Sequence, residues 1–528
     1  MQNTATQSTD RSISRRSVVA GCTALAAGAL AAGAFADPTP ASADEAAPAW
    51  DYEADVVVVG GGCSGWAATW EAIEAGASVI VLEKNGAFGG DMAVCQGLLP
   101  GYDTDYTRSM GVTATADEVY DEYIARGQNP HGLPPHDVVE YVFKNCGSNI
   151  DFMAECGVEW QRADVQAHYS QYDIFFQAAY GDIVGGAGFR EPMTNYFESC
   201  GAELLLDTRA IELVTNADGR VIGVRASRDG EDVLVKAKKG VVLCTGAYTA
   251  NSKLIGMFAE QWRGVAGCGR ETSTGDGLVM AMALGAIPVR TQDGGFLLAN
   301  SQYNTGKNVA ADLLYRGMIV DQSGKRCIND GASYANNDLI DEFQRQFGLQ
   351  SEDYLWFVCD GSDETSQYYE LNKASYGMTD DDFVNADTLE ELASLMGVDA
   401  ANLEASAAEM CANAGELVDP VYGERTSNFP INAVETGPFH ALKLAPSIVM
   451  TTGGLKANLD GVVLRAKQVG VVNDLKPSDN TEFFEAIPGL YAGGEVVEWS
   501  CYTGWSCTSC FTLGRIAGRA AAAAESWE

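Results

Sequence analysis

The spacing of apolar positions changes along the chain in an ordered way. Val56-Val57-Val58-Val59 is an unbroken apolar run, which predicts a strand buried on both faces. Residues 64–75 (SGWAATWEAIEA) are alanine-rich and helical in period, and Gly76 ends that helix. Ser78-Val79-Ile80-Val81-Leu82 predicts a second strand, closing on Glu83. Residues 116–126, 136–155 and 187–201 carry amphipathic helical patterns. Residues 202–210 begin a strand, turn and strand, with Asn216-Ala217-Asp218-Gly219 as the turn. Thr274-Gly275-Asp276-Gly277 opens an apolar helix. From about Gln292 the pattern shifts: residues 292–430 lose the glycine punctuation and gain polar helices at 387–395 and 400–414. That change sets residues 292–430 apart from 44–291 before them and 431–528 after them.

The first strand, helix and second strand carry chemistry. Gly60, Gly62 and Gly65 have the spacing G-x-G-x-x-G between strand and helix. The first allows a tight turn, the second a close approach to a pyrophosphate, and the third packing of the helix on the strand. Glu83 stands where an acid holds a ribose hydroxyl. Strand, glycines, helix, strand and acid in this order predict a dinucleotide site.

Beyond Glu83, Lys84-Asn85-Gly86-Ala87-Phe88-Gly89-Gly90-Asp91-Met92 resembles the flavoproteins of the fumarate reductase, succinate dehydrogenase and 3-ketosteroid dehydrogenase group. Later blocks continue the resemblance: Cys244-Thr245-Gly246-Ala247-Tyr248, Thr274-Gly275-Asp276-Gly277, Thr451-Thr452-Gly453-Gly454, Gly493-Gly494-Glu495-Val496 and Gly514-Arg515-Ile516-Ala517-Gly518. It implies an α/β fold, a Rossmann-like FAD-binding domain of the GR2 type over 44–291 and 431–528 with an inserted α+β cap at 292–430. FAD would be held without a covalent bond, because no histidine stands near the 84–92 loop. The resemblance makes Gly60, Gly62, Cys63, Ser64, Gly65, Glu83, Lys84, Gly89, Gly90, Asp91, Ala210, Thr245, Gly246, Asp276, Gly494, Glu495, Cys510 and Phe511 the cofactor-binding set.

The same resemblance shows where this chain departs. Fumarate-reducing members place histidines before T-x-G-G, and a histidine and arginine after G-E-V. Here Val449-Met450 precede Thr451, and no histidine or arginine follows Glu495 until Arg515. A buried carboxylate left unpaired costs several kcal/mol, so a small dicarboxylate is a poor substrate expectation. Gly324-Lys325-Arg326-Cys327-Ile328-Asn329-Asp330 matches the segment that leads to the family's proton-donating arginine, and that register holds Tyr334 here. Cys501-Tyr502-Thr503-Gly504 is similar to the ketosteroid 4-dehydrogenase branch, in which a tyrosine and a glycine amide polarise a ketone. Tyr334, Tyr502, Gly504, Asp330 and Arg326 form the expected catalytic set, with Trp499 and Trp505 as apolar wall. The expected reaction is reduction of a carbon–carbon double bond conjugated to a carbonyl in a large uncharged substrate. A small unsaturated acid, the oxidative direction, and a non-catalytic flavin electron carrier stand as alternatives.

Composition adds exclusions. With 72 acidic and 34 basic residues the net charge is −38, which argues against nucleic acid and anionic membranes as partners. The four histidines (131, 136, 168 and 440) have no zinc-ligand spacing, and no metal site is expected. Cys501, Cys507 and Cys510 could begin an iron–sulfur site, yet the fourth ligand would have to come from afar, so no cluster is expected. No C-x-x-C-H haem site is present, so electrons should come from a separate carrier, a cytochrome or a quinol-linked membrane protein. At the N-terminus Arg15-Arg16, an alanine- and glycine-rich apolar run and Ala41-Ser42-Ala43 resemble a twin-arginine export signal over residues 1–43. That run is too rich in small residues to make a stable membrane anchor, and the alternative of lipidation at Cys22 places too little of it before the cysteine.

Overall fold

The computed structural model describes residues 49–125, 136–163, 170–259, 262, 265–267, 269–291, 294–300, 307–332, 338–347, 349–427, 429–467, 483–498 and 505–528. Residues 1–43, Trp499, Cys501, Tyr502, Gly504 and Tyr334 lie outside the described residues. The fold below is that of the unit Trp50–Glu528. No helix among the described residues is long and apolar enough to cross a membrane.

The N-terminal pattern folds as its periodicity dictates. Strand β1 (Tyr52–Val59) leads through the glycines into helix α1 (Cys63–Glu74), and then to β2 (Val79–Leu82). β1 pairs with β2 in parallel, Val56 opposite Val79 and Val59 opposite Leu82. Strand β3 (Glu203–Leu205) extends the sheet beside β2, while β4 (Glu231–Leu243) lies on the other side of β1. Val56, Val57 and Val58 are fully buried, as expected for a strand flanked on both sides and covered on both faces. The hairpin Thr208–Thr215/Val221–Arg228 turns at the predicted Asn216–Gly219 and pairs with the first half of β4.

The insertion has its own sheet, whose spine is a single long strand, β5 (Phe439–Thr451). Strands Gly294–Asn300, Leu355–Cys359 and Val384–Ala386 all pair with β5 antiparallel, and Gly317–Val320 pairs with Leu355–Cys359. Met318, Trp356, Leu392, Leu403, Met410 and Phe439 belong to a core separate from that of the first domain. The sequence boundary at 430/431 therefore cuts the cap: the strand following it is the cap's own spine.

The chain re-enters the first sheet at its edge with Val462–Ala466, antiparallel to the next strand, β6 (Phe484–Ala492), which is parallel to β4. It ends in helix α2 (Ser506–Ala523), which lies along α1. A Cβ on Gly514 would stand 2.2 Å from the Ser64 carbonyl oxygen, so the two backbones meet without side chains between them. Beside this contact the buried Glu71 carboxylate accepts from Arg515 Nε at 2.8 Å and Arg519 Nη2 at 2.7 Å. The helix expected over 136–155 is two helices, His136–Asn145 and Asn149–Glu155. The Tyr102 hydroxyl donates to the Phe143 carbonyl at 2.6 Å and takes the acceptor that would have continued the first helix.

Candidate active site

A cavity of about 980 Å³ runs from the carboxyl ends of β1 and β2 to the inner face of the cap. This is where ligands bind in open parallel sheets. One end is built from the first domain. Gly60 turns the chain at the end of β1 with φ +105°, and a Cβ there would lie 2.3 Å from the Cys244 carbonyl oxygen. Gly60, Gly62, Cys63 and Ser64 face the cavity. Glu83 is held rigidly at the end of β2: Gly61 N–H donates to one carboxylate oxygen at 2.9 Å and Asn85 N–H to the other at 2.8 Å. Ala210, from the hairpin, lies on the same wall.

Asp276 gathers the cations of this end. Lys84 Nζ meets it at 3.1 Å, and Arg209 donates to both of its oxygens at 3.0 and 2.9 Å. Burial pushes the Asp276 carboxyl upward, but Arg209 and Lys84 outweigh burial and hold it below its ordinary value. Asp91 accepts from Arg270 N–H at 2.6 Å and Ser273 Oγ at 2.5 Å, which fixes the loop after Gly90. Thr245 and Gly246 complete the floor; the Thr245 hydroxyl is buried there with no partner among the described residues. An acid at a strand end, a glycine-lined crossing and an unpartnered buried hydroxyl fit an extended ligand carrying ribose, pyrophosphate and hydroxyls.

Glu495 lies farther along the same wall, beside Ser506, Cys507 and Cys510 from the start of α2. Burial, with the Asp91 charge added, pushes its carboxyl up to about 8 from 4.5. The sign follows from linkage: between these values the folded apoprotein holds a proton that the unfolded chain has lost, so its stability falls as pH rises through the window. A carboxylate that accepts ligand hydroxyls must first give up that proton. FAD affinity should therefore rise with pH up to about 8, and Glu495→Gln should flatten the profile. Flavin fluorescence titrations and apoprotein melting between about pH 6 and about pH 9 measure both slopes; two flat profiles in the unaltered protein would sink this reading.

The rest of the cavity mixes apolar residues with Gln96, Gln177, Asn308, Asp312 and Asn372. Met92, Val94, Leu98 and Val184 line it from the first domain; Leu313, Tyr368, Leu371 and Tyr376 line it from the cap. Sequence reasoning missed the cap wall, although Tyr368, Leu371 and Asn372 share one face of helix Asp363–Tyr376. Val449 and Met450, at the end of β5, face the cavity where the relatives' histidines were sought. The wall's cationic residues are each matched to an acid: Lys84 and Arg209 to Asp276, and Arg162 to Asp173 at 3.3 Å.

Some expected site residues are elsewhere. Arg326 and Asp330 do not line the cavity. Asp330 accepts from both Arg326 and Arg425, and Arg326 also meets Glu409 and Asp419 at 2.5 Å. Their expected catalytic role is corrected: these charges saturate one another inside the cap, at 3% and 1% side-chain exposure. Phe511 is corrected too. It is fully buried and packs edge-on against Phe152 at 5.9 Å, in the core behind α2 rather than on the cavity. Gly65, inside α1, lets the helix pack on the Gly60 carbonyl, and Gly89 and Gly494 shape turns, none of them lining the cavity; Gly90, Asp91 and Cys510 line it directly.

Residues 55–506 match the FAD binding domain family. The chain is 27% identical to a digoxin reductase of Eggerthella lenta, over 98% of each protein. It is 28% identical to an NADH:fumarate oxidoreductase of Klebsiella pneumoniae over 84% of this chain, which spans 44% of that longer protein. A 3-ketosteroid-Δ4-(5α)-dehydrogenase from Rhodococcus jostii, solved with 4-androstene-3,17-dione, superposes with a TM-score of 0.66 at 25% identity, covering 90% of this chain and 98% of that one. The chain belongs to the FAD binding domain family and is an FAD-dependent oxidoreductase that acts on carbon–carbon double bonds.

Proposed function

We propose that the protein reduces a carbon–carbon double bond conjugated to a carbonyl, in a large uncharged substrate. The observation that carries this reading is the stretch of cavity wall made by Met450, Leu313, Tyr368 and Leu371, together with the pairing of each described cation on the cavity to an acid. A dicarboxylate would enter such a site at a desolvation cost with no free bidentate partner among the described lining residues to offset it. A flat apolar molecule gains from every face it covers. The similarity to a protein solved with an androstene-dione, itself named as an enone, supports the same substrate class.

FAD, when bound, supplies the hydride chemistry. Tyr334 would deliver a proton to the α-carbon, while the Tyr502 hydroxyl and Gly504 amide would polarise the carbonyl oxygen. These three lie outside the described residues. The cap wall from Leu313 to Tyr376 holds the substrate against the first domain and excludes water. Electrons arrive from a separate carrier, a cytochrome or a quinol-linked membrane protein. Export by the twin-arginine route over residues 1–43 is part of the same proposal.

The test is a panel of acceptors against viologen-reduced enzyme under nitrogen, read by viologen oxidation. Steroid-like and aromatic enones should be turned over and fumarate should not; fumarate turnover would refute the substrate class. Oxidation by no organic acceptor would favour an electron-transfer role. In the same assay Tyr334→Phe should lower turnover at least about tenfold with FAD still bound.

A further inference from the structure

Two thiols from opposite ends of the chain meet on the cavity wall. Cys95 closes the short loop after Gly90, and Cys507 lies in the first turn of α2. Their sulfurs are 3.9 Å apart, and both residues face the cavity. Gly97 N–H donates to the Cys95 sulfur at 3.2 Å, the kind of donor that a sulfur anion accepts. The neighbours of Cys95 open the position to solvent, Val94 being 61% exposed and Gln96 exposed as well. Cys507 differs: its contact with Cys95, followed by burial, keeps its thiol protonated well above the ordinary value. One turn on, Cys510 meets Cys63, but Cys510 is buried at 4% exposure, whereas Cys95 and Cys507 are both partly exposed.

We propose that Cys95 and Cys507 form a reversible dithiol–disulfide couple that clamps the cavity wall. A small soluble disulfide of the glutathione type is the oxidant. The Cys95 thiolate attacks one of its sulfurs, the S–S bond breaks, and the first small thiol leaves with a proton. Cys507, giving up its proton, then attacks the Cys95 sulfur and expels the second small thiol. Both protein thiols are oxidised and one disulfide is reduced to two thiols, so atoms and electrons balance. Closing the bond brings the sulfurs from 3.9 Å to about 2.05 Å and ties the 90–97 loop to the first turn of α2. These are two walls of the cavity that takes the cofactor, and joining them retards its release.

The holoenzyme, equilibrated under nitrogen in oxidised and reduced glutathione and quenched by alkylation, gives the test. A peptide linking Cys95 to Cys507, loss of two alkylatable thiols per chain and full reversal by dithiothreitol are expected. In the closed form, FAD release after dilution should slow at least about tenfold. Cys507→Ser should trap glutathione on Cys95, whereas Cys95→Ser should trap none on Cys507. Four results would overturn the proposal: both thiols remaining alkylatable throughout, a cross-link to other cysteines, a closed form that releases FAD at the open rate, or iron and acid-labile sulfide in stoichiometric amount. The unaltered protein supplies these readings even if a variant fails to fold.

Discussion

Gly60→Ala will abolish flavin loading. The residue holds φ +105°, and the added methyl would sit 2.3 Å from the Cys244 carbonyl oxygen, a backbone atom that β4 keeps in place. Strain at such a position costs about 1–3 kcal/mol, and overpacking against fixed backbone about as much again. The turn can relieve both only by moving away from β4, and that movement takes the Gly60–Ser64 wall out of line with Glu83. FAD affinity should fall at least about a hundredfold, equivalent to about 2.8 kcal/mol. The measurement is FAD retained through gel filtration, with far-ultraviolet circular dichroism to confirm a folded chain. Retention of stoichiometric FAD by the variant would contradict the argument.

The second large effect lies off the cavity wall. Asp330→Ala should lower stability by about 3–5 kcal/mol, because it leaves two buried guanidinium groups facing each other without the carboxylate between them. Arg425 has no side-chain exposure and Arg326 only 3%, so water cannot replace the lost acceptor. Asp330→Asn keeps the volume and one acceptor and should cost less than the alanine. Urea unfolding of holoenzyme, followed by tryptophan fluorescence, reads both. The pairing also predicts a kinetic outcome: near the midpoint of neither transition, Asp330→Asn should turn over substrate with an unaltered KM. A KM raised tenfold in a fully folded Asp330→Asn protein would restore the residue to the site.

The contrast between these two residues explains what was legible in the sequence. Gly60 belongs to a unit in which every contact is local: β1, the turn, α1, β2 and Glu83 span about thirty residues, and their spacing alone implies their geometry. Asp330 could not be placed from the sequence because Arg425, which donates to it, and Asp419, which shares Arg326 with it, lie about ninety residues away, and nothing in the local pattern announces a buried charge cluster. The cap boundary failed for the same reason. Phe439–Thr451 reads as a buried strand, but its partners at 294–300, 355–359 and 384–386 are set by long-range pairing that periodicity does not encode. Phe511 shows a third limit: on a helix buried on most sides, sequence spacing does not say which side faces the ligand. Met450 was read from its position before Thr451, and the cavity wall has it there.

The packing of α1 on α2 has a consequence for how the protein is made. Arg519 reaches Glu71 across 448 residues of chain, and the wall that carries Glu495, Cys507 and Cys510 is synthesised long after β1 and α1. At ribosomal rates of about 5–20 residues per second, β1 and α1 wait roughly 20–90 s for their closing partner. During that interval the apolar face of α1, with Ala67, Ala68 and Ala72, stands uncovered beside a half-built sheet. Cofactor capture thus waits for α2, and a nascent-chain pull-down should recover flavin only from chains extended past it.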